Sequence, residues 1–279
     1  MNKIWPAPAK LNLFLHITAR RADGYHELQT VFQLLDYGDE LEFTVGDSGG
    51  IDLNTSLTGV ADAQNLVVRA ARLLQRHTGC RQGADITLRK RLPLGGGLGG
   101  GSSDAATTLM ALNRLWRINL PTAELAALGL QLGADVPVFI QGLSAWAEGV
   151  GEQLFPVSLP EAWYLVIAPP VTVSTAVVFS DPELTRDSAP ITIADFLSGA
   201  GHNDCQPVAR DRYPEIGQVI DWLDNFSKAR MTGTGACVFA RFDEREQAER
   251  VRRQLPADWQ GFVARGVNRS PVLERLQNV

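Results

Sequence analysis

Cysteine and histidine are scarce in this sequence. Its 279 residues include three cysteines, Cys80, Cys205 and Cys237, which are widely spaced and form no C-x-x-C pair, and its four histidines follow no metal-ligand spacing. This scarcity excludes a disulfide framework and a cysteine–histidine zinc site. Scattered, reduced thiols are typical of a cytoplasmic protein.

Long apolar runs and blocks of positive charge are also absent. No apolar stretch approaches the ~18 residues that span a bilayer, and the first residues, MNKIWPAPAK, lack the apolar core of a signal peptide. The formal net charge is -5, and no basic block is interleaved with aromatic residues. Such a balance argues against nucleic acid or an anionic membrane as a partner. We therefore expect a cytoplasmic location, no membrane partner and no nucleic-acid partner.

What the sequence does contain is the composition of a folded globular protein. It is 45% hydrophobic and 20% charged, and its 279 residues suffice for one large or two modest domains. The first third alternates apolar and polar residues as β-strands do, and later segments mix helical and strand patterns. The pattern restarts after residue 150, which predicts an α+β protein with domains at 1–153 and 154–279.

The segment KLNLFLHIT alternates strictly between two faces. It predicts a strand in which Lys10 and Asn12 point the same way. A second predicted strand, from Ala84, leads into a glycine-rich run, and an amphipathic helix follows with Ser102 or Ser103 suited to the N-cap. The glycine run is therefore held between a strand and a helix.

This glycine run, PLGGGLGGGSSDAA, occupies residues 93–106. Between a strand and a helix, the backbone N–H groups and the positive helix end are suited to hold an anion, which favours a phosphate cradle over a flexible linker. The run matches G-x-G-x-x-G from Gly95 to Gly100, but no strand ending in an acidic residue follows about 20 residues later, which disfavours dinucleotide binding. It also lacks the Gly-Lys-Ser/Thr end of a Walker A loop, so a cation for the phosphates must come from elsewhere.

Several residues have both an ordinary structural interpretation and a chemical one. Lys10 is either a solvated strand lysine or a catalytic cation, and Asp135 is either a turn residue or a group presented by a loop. Tyr25 and His26 either cap a hairpin or bind a planar ring. MTGTGACVF, at 231–239, is either a tight turn or a second loop that closes over phosphates. The residues alone leave these alternatives open.

Four segments resemble, in order, the motifs of the GHMP small-molecule kinases: PAKLNLFL at 8–15, PLGGGLGGGSSDAA at 93–106, GADVPVF at 133–139 and MTGTGACVF at 231–239. With RADGYHEL at 21–28, they are most similar to the branch that phosphorylates a cytidine-diphosphate-linked methylerythritol in non-mevalonate isoprenoid biosynthesis. The resemblance spans nearly the whole chain. It implies an ATP-dependent kinase with a ribosomal-protein-S5-like N-terminal domain and a ferredoxin-like C-terminal domain, with both ligands in the cleft between them.

The resemblance also implies roles for individual residues. Lys10 and Asp135 would be the catalytic lysine and base. Lys10 would keep the Asp135 carboxylate ionised and would orient either Asp135 or the transferring phosphoryl group. Asn65 would contact the adenine region of ATP. The residues that would hold the nucleotide phosphates are Pro93, Leu94, Gly95, Gly96, Gly97, Leu98, Gly99, Gly100, Gly101, Ser102 and Ser103.

The implied substrate-facing residues are Asn12, Tyr25, His26 and Phe179, and Phe179 would supply the second of two aromatic rings around the cytosine. Magnesium would travel with ATP; Ser103 is a candidate hydroxyl for it, but no residue is assigned to a metal. The protein is expected to be a monomer or a weak homodimer.

Three other functions compete with this interpretation. Another GHMP kinase, acting on homoserine or a sugar, would share the glycine loop but not the Tyr25–His26 pair. A ligand sensor that has lost catalysis would keep the fold, although Lys10, Asp135 and the complete loop argue against it. A nicotinamide-dependent oxidoreductase rests on the glycine pattern alone.

Overall fold

The structure, a computed structural model, describes residues 4–55 and 61–278. Strands are distributed along this whole part of the chain. They are β1 (Trp5–Arg20), β2 (His26–Gly46), β3 (Ile51–Thr55), β4 (Gly83–Arg89), β5 (Ala145–Glu148), β6 (Gln153–Pro156), β7 (Trp163–Ala168), β8 (Ala229–Met231), β9 (Val238–Phe242) and β10 (Gln260–Val267).

The helices lie between these strands and after the last one, beginning with a short 3₁₀ helix at Asp62–Gln64. None of them, within the described ranges, is long and apolar enough to cross a bilayer. The α-helices are α1 (Leu66–Thr78), α2 (Gly100–Leu115), α3 (Thr122–Leu130), α4 (Val136–Gln141), α5 (Thr175–Phe179), α6 (Ile193–Leu197), α7 (Cys205–Arg212), α8 (Pro214–Leu223), α9 (Arg245–Arg252) and α10 (Pro271–Gln277).

β2 is the strand that joins the two halves of the molecule. It pairs antiparallel with β1, β4 and β5, and its residues 34–35 also pair with residues 266–267 of β10. The continuous strand order is β3-β4-β2-β10-β7-β9-β8. Because β10 lies near the end of the chain, its pairing with β2 places the C-terminal strands directly beside the N-terminal ones.

Buried apolar side chains cover both faces of this sheet. The helices α1, α2 and α4 pack on the first half, through residues such as Leu74, Leu109 and Phe139. On the second half, neighbouring residues of β7 face opposite sides of the sheet. Leu165 packs with α7 and α8, and Tyr164 packs toward β1. Period-2 alternation thus builds two separate cores from one strand.

The predicted α+β class is confirmed, and the strand that was expected from Lys10 lies within β1. The predicted N-cap is wrong. α2 begins at Gly100, and its N-cap is Gly99 in a left-handed conformation with φ +70°, while the amide of Ser103 donates to the Gly99 carbonyl at 2.8 Å. Glycine adopts this conformation without strain, so the helix starts inside the glycine run and the serines become part of its first turn.

The division at residues 153 and 154 stays a prediction, and one segment departs from it. α10 packs into the core of the first half, where Val272 is fully buried beside partly buried Leu273 and Leu276. Sequence order did not indicate this because the chain returns along β10 to β2 before α10 begins.

Candidate active site

Lys10 lies on β1 and its side chain is buried beneath two loops. The residue is 3% exposed. Its Nζ donates to Oδ1 of Asn12 at 2.6 Å and to the carbonyl oxygen of Gly97 at 3.0 Å, and it lies 3.3 Å from Oδ2 of Asp135. The interpretation of Lys10 as a solvated strand lysine is therefore wrong, and the prediction that Lys10 and Asn12 share a face is confirmed.

Asp135 is the residue immediately before α4. Its side chain makes no capping bond to the helix, and Pro137, near the helix start, brings no N–H that would need a cap. The backbone of the preceding turn is held by a hydrogen bond from the Val136 amide to the Gly133 carbonyl at 3.1 Å. The carboxylate is thus free to face Lys10, and with 34% of its side chain exposed it also faces solvent.

The glycine run forms a loop whose conformation requires glycine. The φ angles of Gly95, Gly97 and Gly99 are +64°, +73° and +70°, in the left-handed region that other residues rarely adopt. A Cβ atom on Gly97 would lie 2.2 Å from the carbonyl oxygen of Thr232. The amide of Ala236 donates to the Gly95 carbonyl at 3.1 Å, so this loop and the segment 231–239 form one paired structure.

The first turn of α2 points its residues in different directions. Ser102 lines the cavity beside Asp135, whereas Ser103 is fully buried and its Oγ has no hydrogen-bond partner among the described residues. Gly101 faces the start of α1, where a Cβ would lie 3.4 Å from Leu66. Of the two serines, Ser102 is the one placed to meet a ligand, and Ser103 lies outside the cavity lining.

A buried ionic cluster holds the strand before the loop to the helix after it. The ammonium of Lys90 contacts Oδ2 of Asp39 and lies 2.8 Å from Oδ2 of Asp104. Oδ1 of Asp39 accepts the amides of Arg91 and Leu92 at 2.6 and 2.8 Å. Burial raises the pKa of Asp104 against the opposing effect of the Lys90 charge. This cluster fixes both ends of the glycine loop.

These groups surround one cavity of about 330 Å³. Of the predicted site residues, its lining contains Lys10, Asn12, Gly97, Gly99, Ser102, Asp135 and Phe179. Thr175, Gly233 and Thr234 also line it, and the Thr175 and Thr234 hydroxyls are 2.9 Å apart. The second small-residue loop therefore does approach the same space as the glycine run.

Other predicted phosphate-loop residues lie outside this lining. Pro93, Leu94 and Gly96 face a second cavity, of about 410 Å³, on the other side of the loop. Asn65 is the N-cap of α1, where its Oδ1 accepts the amide of Val67 at 2.9 Å. The sequence placed these residues along the chain, but it did not indicate which side of the loop each one faces.

Two of the predicted substrate residues, His26 and Phe179, stack on each other; Phe179 lines the cavity, whereas His26 and Tyr25 are not in its lining. The rings of His26 and Phe179 are 5.0 Å apart with an interplanar angle of 22°, and Tyr25 is 65% exposed. Arg186 donates from Nε to Nε2 of His26 at 3.2 Å and from Nη2 to the Phe179 carbonyl at 3.0 Å. Burial, together with the charges of Arg186 and Arg20, lowers the pKa of His26. The stacking of cytosine between two aromatic rings stays a prediction.

Sequence reasoning missed two parts of this site. Arg186 lies 160 residues from His26, and no local pattern marks it. Thr232 lies within the segment 231–239. Its Oγ1 accepts a hydrogen bond from the backbone amide of Asn12 at 2.9 Å and donates to the carbonyl oxygen of Gly97 at 3.3 Å. A hydroxyl next to the glycines of this segment was the available signal in the sequence, but the partners of that hydroxyl are set by tertiary structure.

The chain matches family models for both parts of a known kinase fold. The GHMP kinases N terminal domain matches residues 65–143, and the GHMP kinases C terminal domain matches residues 184–261. A 4-diphosphocytidyl-2-C-methyl-D-erythritol kinase of Shewanella loihica is 58% identical over 273 residues, which cover 98% of this chain and 96% of the relative. The chain belongs to this kinase family.

Solved structures agree with that assignment. The crystal structure of a 4-(cytidine 5'-diphospho)-2C-methyl-D-erythritol kinase superposes with a TM-score of 0.83 and 33% identity, covering 95% of this chain and 99% of that one. A homoserine kinase from Cytophaga hutchinsonii superposes with a TM-score of 0.64 at 18% identity, which shows a shared fold alone. The protein is accordingly an ATP-dependent GHMP kinase, and the oxidoreductase alternative is discarded.

Proposed function

We propose that this kinase transfers the γ-phosphoryl group of ATP to the 2-hydroxyl of 4-diphosphocytidyl-2-C-methyl-D-erythritol, with Asp135 as the base and Lys10 as its partner. The observation that carries the proposal is the 3.3 Å contact between Lys10 Nζ and Asp135 Oδ2 in a cavity walled by the glycine loop. The curated relatives carry the name of a kinase for this substrate.

The contacts of Lys10 favour one of its two possible tasks. An ammonium group has three hydrogens. Here its neighbours within reach are three oxygens, those of Asn12, Gly97 and Asp135. Two hydrogen bonds and one ion pair therefore hold the ammonium group, so Lys10 orients Asp135, and direct contact with the transferring phosphoryl group would require one of these partners to move.

Asp135 is suited to accept a proton because it is paired on one side and accessible on the other. Its partly exposed carboxylate lines the cavity together with Ser102 and Thr175. A hydroxyl placed there would lose its proton to the carboxylate as the phosphoryl group arrives in line. The carboxylate returns the proton to solvent after product leaves.

The glycine loop and α2 supply the electrostatic part of the reaction. Left-handed glycines turn successive backbone N–H groups toward one side, and such groups need no rearrangement when charge moves during transfer. α2 is a 16-residue helix, and its N-terminus adds a positive dipole end. The ATP phosphates are therefore assigned to the loop, with Ser102 at its cavity side.

The side chains that line the cavity fit a magnesium ion that is bound mainly by the phosphates of ATP. Within the ranges that the structure describes, no group of three His, Cys, Asp or Glu side chains is placed to hold a metal. Magnesium keeps several waters and is commonly held by substrate phosphates with one or two protein oxygens. Ser102 would contribute the hydroxyl oxygen, and the ion would neutralise charge on the phosphates.

Recognition of the cytosine is assigned to His26 and Phe179. Arginine has only donors, so Nε2 of His26 must be the acceptor in its contact with Arg186. A neutral His26 then carries its proton on Nδ1, which is free to donate to a base edge, while Phe179 offers an aromatic face. Tyr25, on the adjacent exposed turn, is placed to cover the ligand from solvent.

The cellular setting belongs to the same proposal. We place the reaction in the cytoplasm, carried out by a monomer or weak homodimer. The thiols of Cys80, Cys205 and Cys237 are all free. Burial raises the pKa of the Cys205 and Cys237 thiols to about 12, so both remain protonated and unreactive.

A substrate panel tests the proposed function. Purified protein is incubated with Mg-ATP and, separately, with 4-diphosphocytidyl-2-C-methyl-D-erythritol, homoserine or a hexose, and ADP release is followed. We expect ADP only with the first compound, with the new phosphate at the 2-hydroxyl by ³¹P NMR. ADP release with homoserine or the hexose instead would overturn the substrate assignment, and no turnover with any of them would favour the sensor alternative.

A further inference from the structure

A cavity of about 290 Å³ lies away from the active site, between β1, α6 and the edge of the C-terminal strands. Apolar side chains form most of its wall, including Leu13, Leu159, Phe196 and Phe239. Leu13 follows Asn12 on β1, so strand alternation directs the two side chains to opposite faces. The cavity is therefore separated by β1 from Lys10 and Asn12.

Three cations border this apolar wall, and no carboxylate among the described residues lines it. They are Lys228, Arg230 and Arg241. Arg241 is exposed and lies 3.4 Å from Asp243, whereas Arg230 has no ion pair within the described ranges. Nη1 of Arg230 donates to the Leu13 carbonyl at 2.7 Å, which accounts for one of its five N–H groups. Arg230 is a half-buried cation without a counter-ion.

Burial of Arg230 is costly in this arrangement. Desolvation lowers the pKa of Arg230, and the opposing influence of Tyr164 is smaller. Half-buried cations are normally paired, because the loss of hydration is otherwise uncompensated. An anion beside Arg230 would supply that compensation.

The cavity wall also carries the Tyr164 hydroxyl. Tyr164 is 3% exposed and lines the cavity, and its hydroxyl makes no hydrogen bond to the described residues. It faces Arg241 across the β7–β9 pair. Burial raises the pKa of Tyr164 to about 12, so the group is a neutral donor and cannot serve as the counter-ion of Arg230. The Tyr164 hydroxyl can therefore donate to a ligand in the cavity.

From these observations we propose that this cavity is a binding site for a small amphiphilic anion, with its phosphate or carboxylate between Arg230 and Tyr164 and its apolar chain against Leu13, Phe196 and Phe239. The headgroup would accept from a guanidinium and a hydroxyl, and the chain would remove apolar surface from water. The site is distinct from the ATP cavity, so the ligand and the nucleotide bind together.

The site also touches the strands that carry the kinase residues. β8 continues from Arg230 into the loop that contains Thr232. The Oγ1 of Thr232 accepts a hydrogen bond from the backbone amide of Asn12. An occupant would therefore contact both strands one or two residues from the active-site wall. Binding is nevertheless the property that tests the proposal, because it does not depend on kinase turnover.

The test is calorimetric titration of the full chain with n-octyl phosphate in the presence of saturating Mg-ADP. We expect 1:1 binding with a Kd below about 1 mM. Octanoate in place of n-octyl phosphate distinguishes a carboxylate ligand from a phosphate ligand, and the tighter of the two identifies the headgroup. We expect 1-octanol and inorganic phosphate, which each lack one half of the ligand, to bind at least about tenfold more weakly.

Two variants locate the binding. Tyr164→Phe removes only the hydroxyl and should weaken binding of the preferred anion about threefold to tenfold, and Arg230→Met should weaken it more than about tenfold. Arg250→Met, on the exposed face of α9, is the matched control and should bind as the wild type does. The proposal is overturned by an absence of saturable binding in the presence of Mg-ADP, by equal affinity for 1-octanol, or by unchanged affinity in Tyr164→Phe and Arg230→Met.

Discussion

Lys10 illustrates how a single buried charge is made tolerable. Lys10 is 3% exposed, and its ammonium group lies among the oxygens of Asn12, Gly97 and Asp135. A buried cation without such partners would lose several kcal/mol of hydration. Of these three partners, Asp135 is the one with a carboxylate, and 34% of its side chain is exposed, which supports the proposed role as proton acceptor.

The first residue-scale prediction is the effect of Asp135→Asn. The amide keeps the shape of the carboxylate but cannot take the hydroxyl proton, so kcat should fall about 10²–10⁴-fold. The Kd for ATP should change by less than about threefold, because the glycine loop is intact. Steady-state kinetics and nucleotide titration measure the two quantities. Asp243→Asn, at a side chain that is 85% exposed, is the control and should leave both unchanged. Near-normal turnover of Asp135→Asn would remove it from the base role.

The buried cluster of Asp39, Lys90 and Asp104 holds two carboxylates against one ammonium. Burial, and then the excess negative charge, make Asp104 hold its proton more tightly in the folded protein. The pKa of Asp104 is raised to about 7, first by burial and then by the Asp39 charge, against the opposing charge of Lys90. One oxygen of Asp104, Oδ1, also has no hydrogen-bond partner among the described residues.

The second residue-scale prediction follows from this raised pKa. A proton bound more tightly by the folded state stabilises it at low pH, and that contribution is lost as the pH rises through about 7. The loss is spread between the ordinary carboxyl pKa of 3.8 and about 7, and it is complete above that pH. Asp104→Asn cannot ionise, so its free energy of unfolding should rise relative to that of the wild type from pH 5 to pH 7, by at most about 1.4 kcal/mol per pH unit, and the difference should level off above pH 7. Urea denaturation at pH 5, 6, 7 and 8 measures this difference. A difference that is constant with pH would contradict it, and Asp243→Asn again serves as the control.

At the scale of elements, the glycine loop is shaped by its contact with a second loop. Gly95, Gly97 and Gly99 adopt left-handed conformations, and the amides of Ala236 and Cys237 donate to the carbonyls of Gly95 and Gly96 at 3.1 Å each. The loop is therefore a rigid connection between two halves of the molecule. Flexibility, which a glycine-rich sequence suggests by itself, is removed by these hydrogen bonds.

Gly97→Ala tests this rigidity. The added Cβ would lie 2.2 Å from the Thr232 carbonyl oxygen, and φ would stay at +73°, so the loop must shift. We expect a loss of stability of roughly 1–3 kcal/mol and a fall in kcat/KM of at least about tenfold as the Lys10 acceptor at Gly97 moves. Gly46→Ala, where a Cβ would meet nothing within 4 Å, is the control and should be nearly neutral. Wild-type kinetics in Gly97→Ala would show that the loop geometry is not required.

At the scale of the whole molecule, the end of the chain completes the core of its beginning. β10 pairs with β2, and α10 then packs on β1 and α2, where Val272 is fully buried. The guanidinium of Arg275 lies 5.0 Å from the centre of the Trp5 ring. The two halves are thus tied together by sheet pairing, by the paired loops and by this terminal helix.

Val272→Ala measures the contribution of α10 to the first core. Loss of two buried methyl groups should lower the free energy of unfolding by roughly 1–3 kcal/mol. Denaturant unfolding followed by circular dichroism provides the measurement. Val45→Ala, at a side chain that is 36% exposed, is the matched control and should cost less than about 0.5 kcal/mol. Equal effects of the two substitutions would contradict a structural role for α10 in that core.

Local patterns account for most of the elements and for the chemistry of the loop. Strict alternation placed Lys10 and Asn12 on one face of β1, and glycine between a strand and a helix indicated an anion cradle. The N-cap of α2 was predicted wrongly because serine is the better local cap, while packing of Gly99 against Phe139 and Lys10 favours a residue without a side chain. At this position the close approach of Phe139 and Lys10 outweighs the N-cap preference for serine.

The sequence by itself determined which residue types are present and their order along the chain: a strand lysine, a glycine run without its own cation, and an aspartate before a short helix. Only the tertiary structure decided that Lys10, Gly97 and Asp135 meet within 3.3 Å, that Ser102 rather than Ser103 faces the cavity, and that Arg186 reaches His26. The physical reason is that periodicity fixes the face on which a side chain lies, whereas contacts between distant segments depend on how whole elements pack.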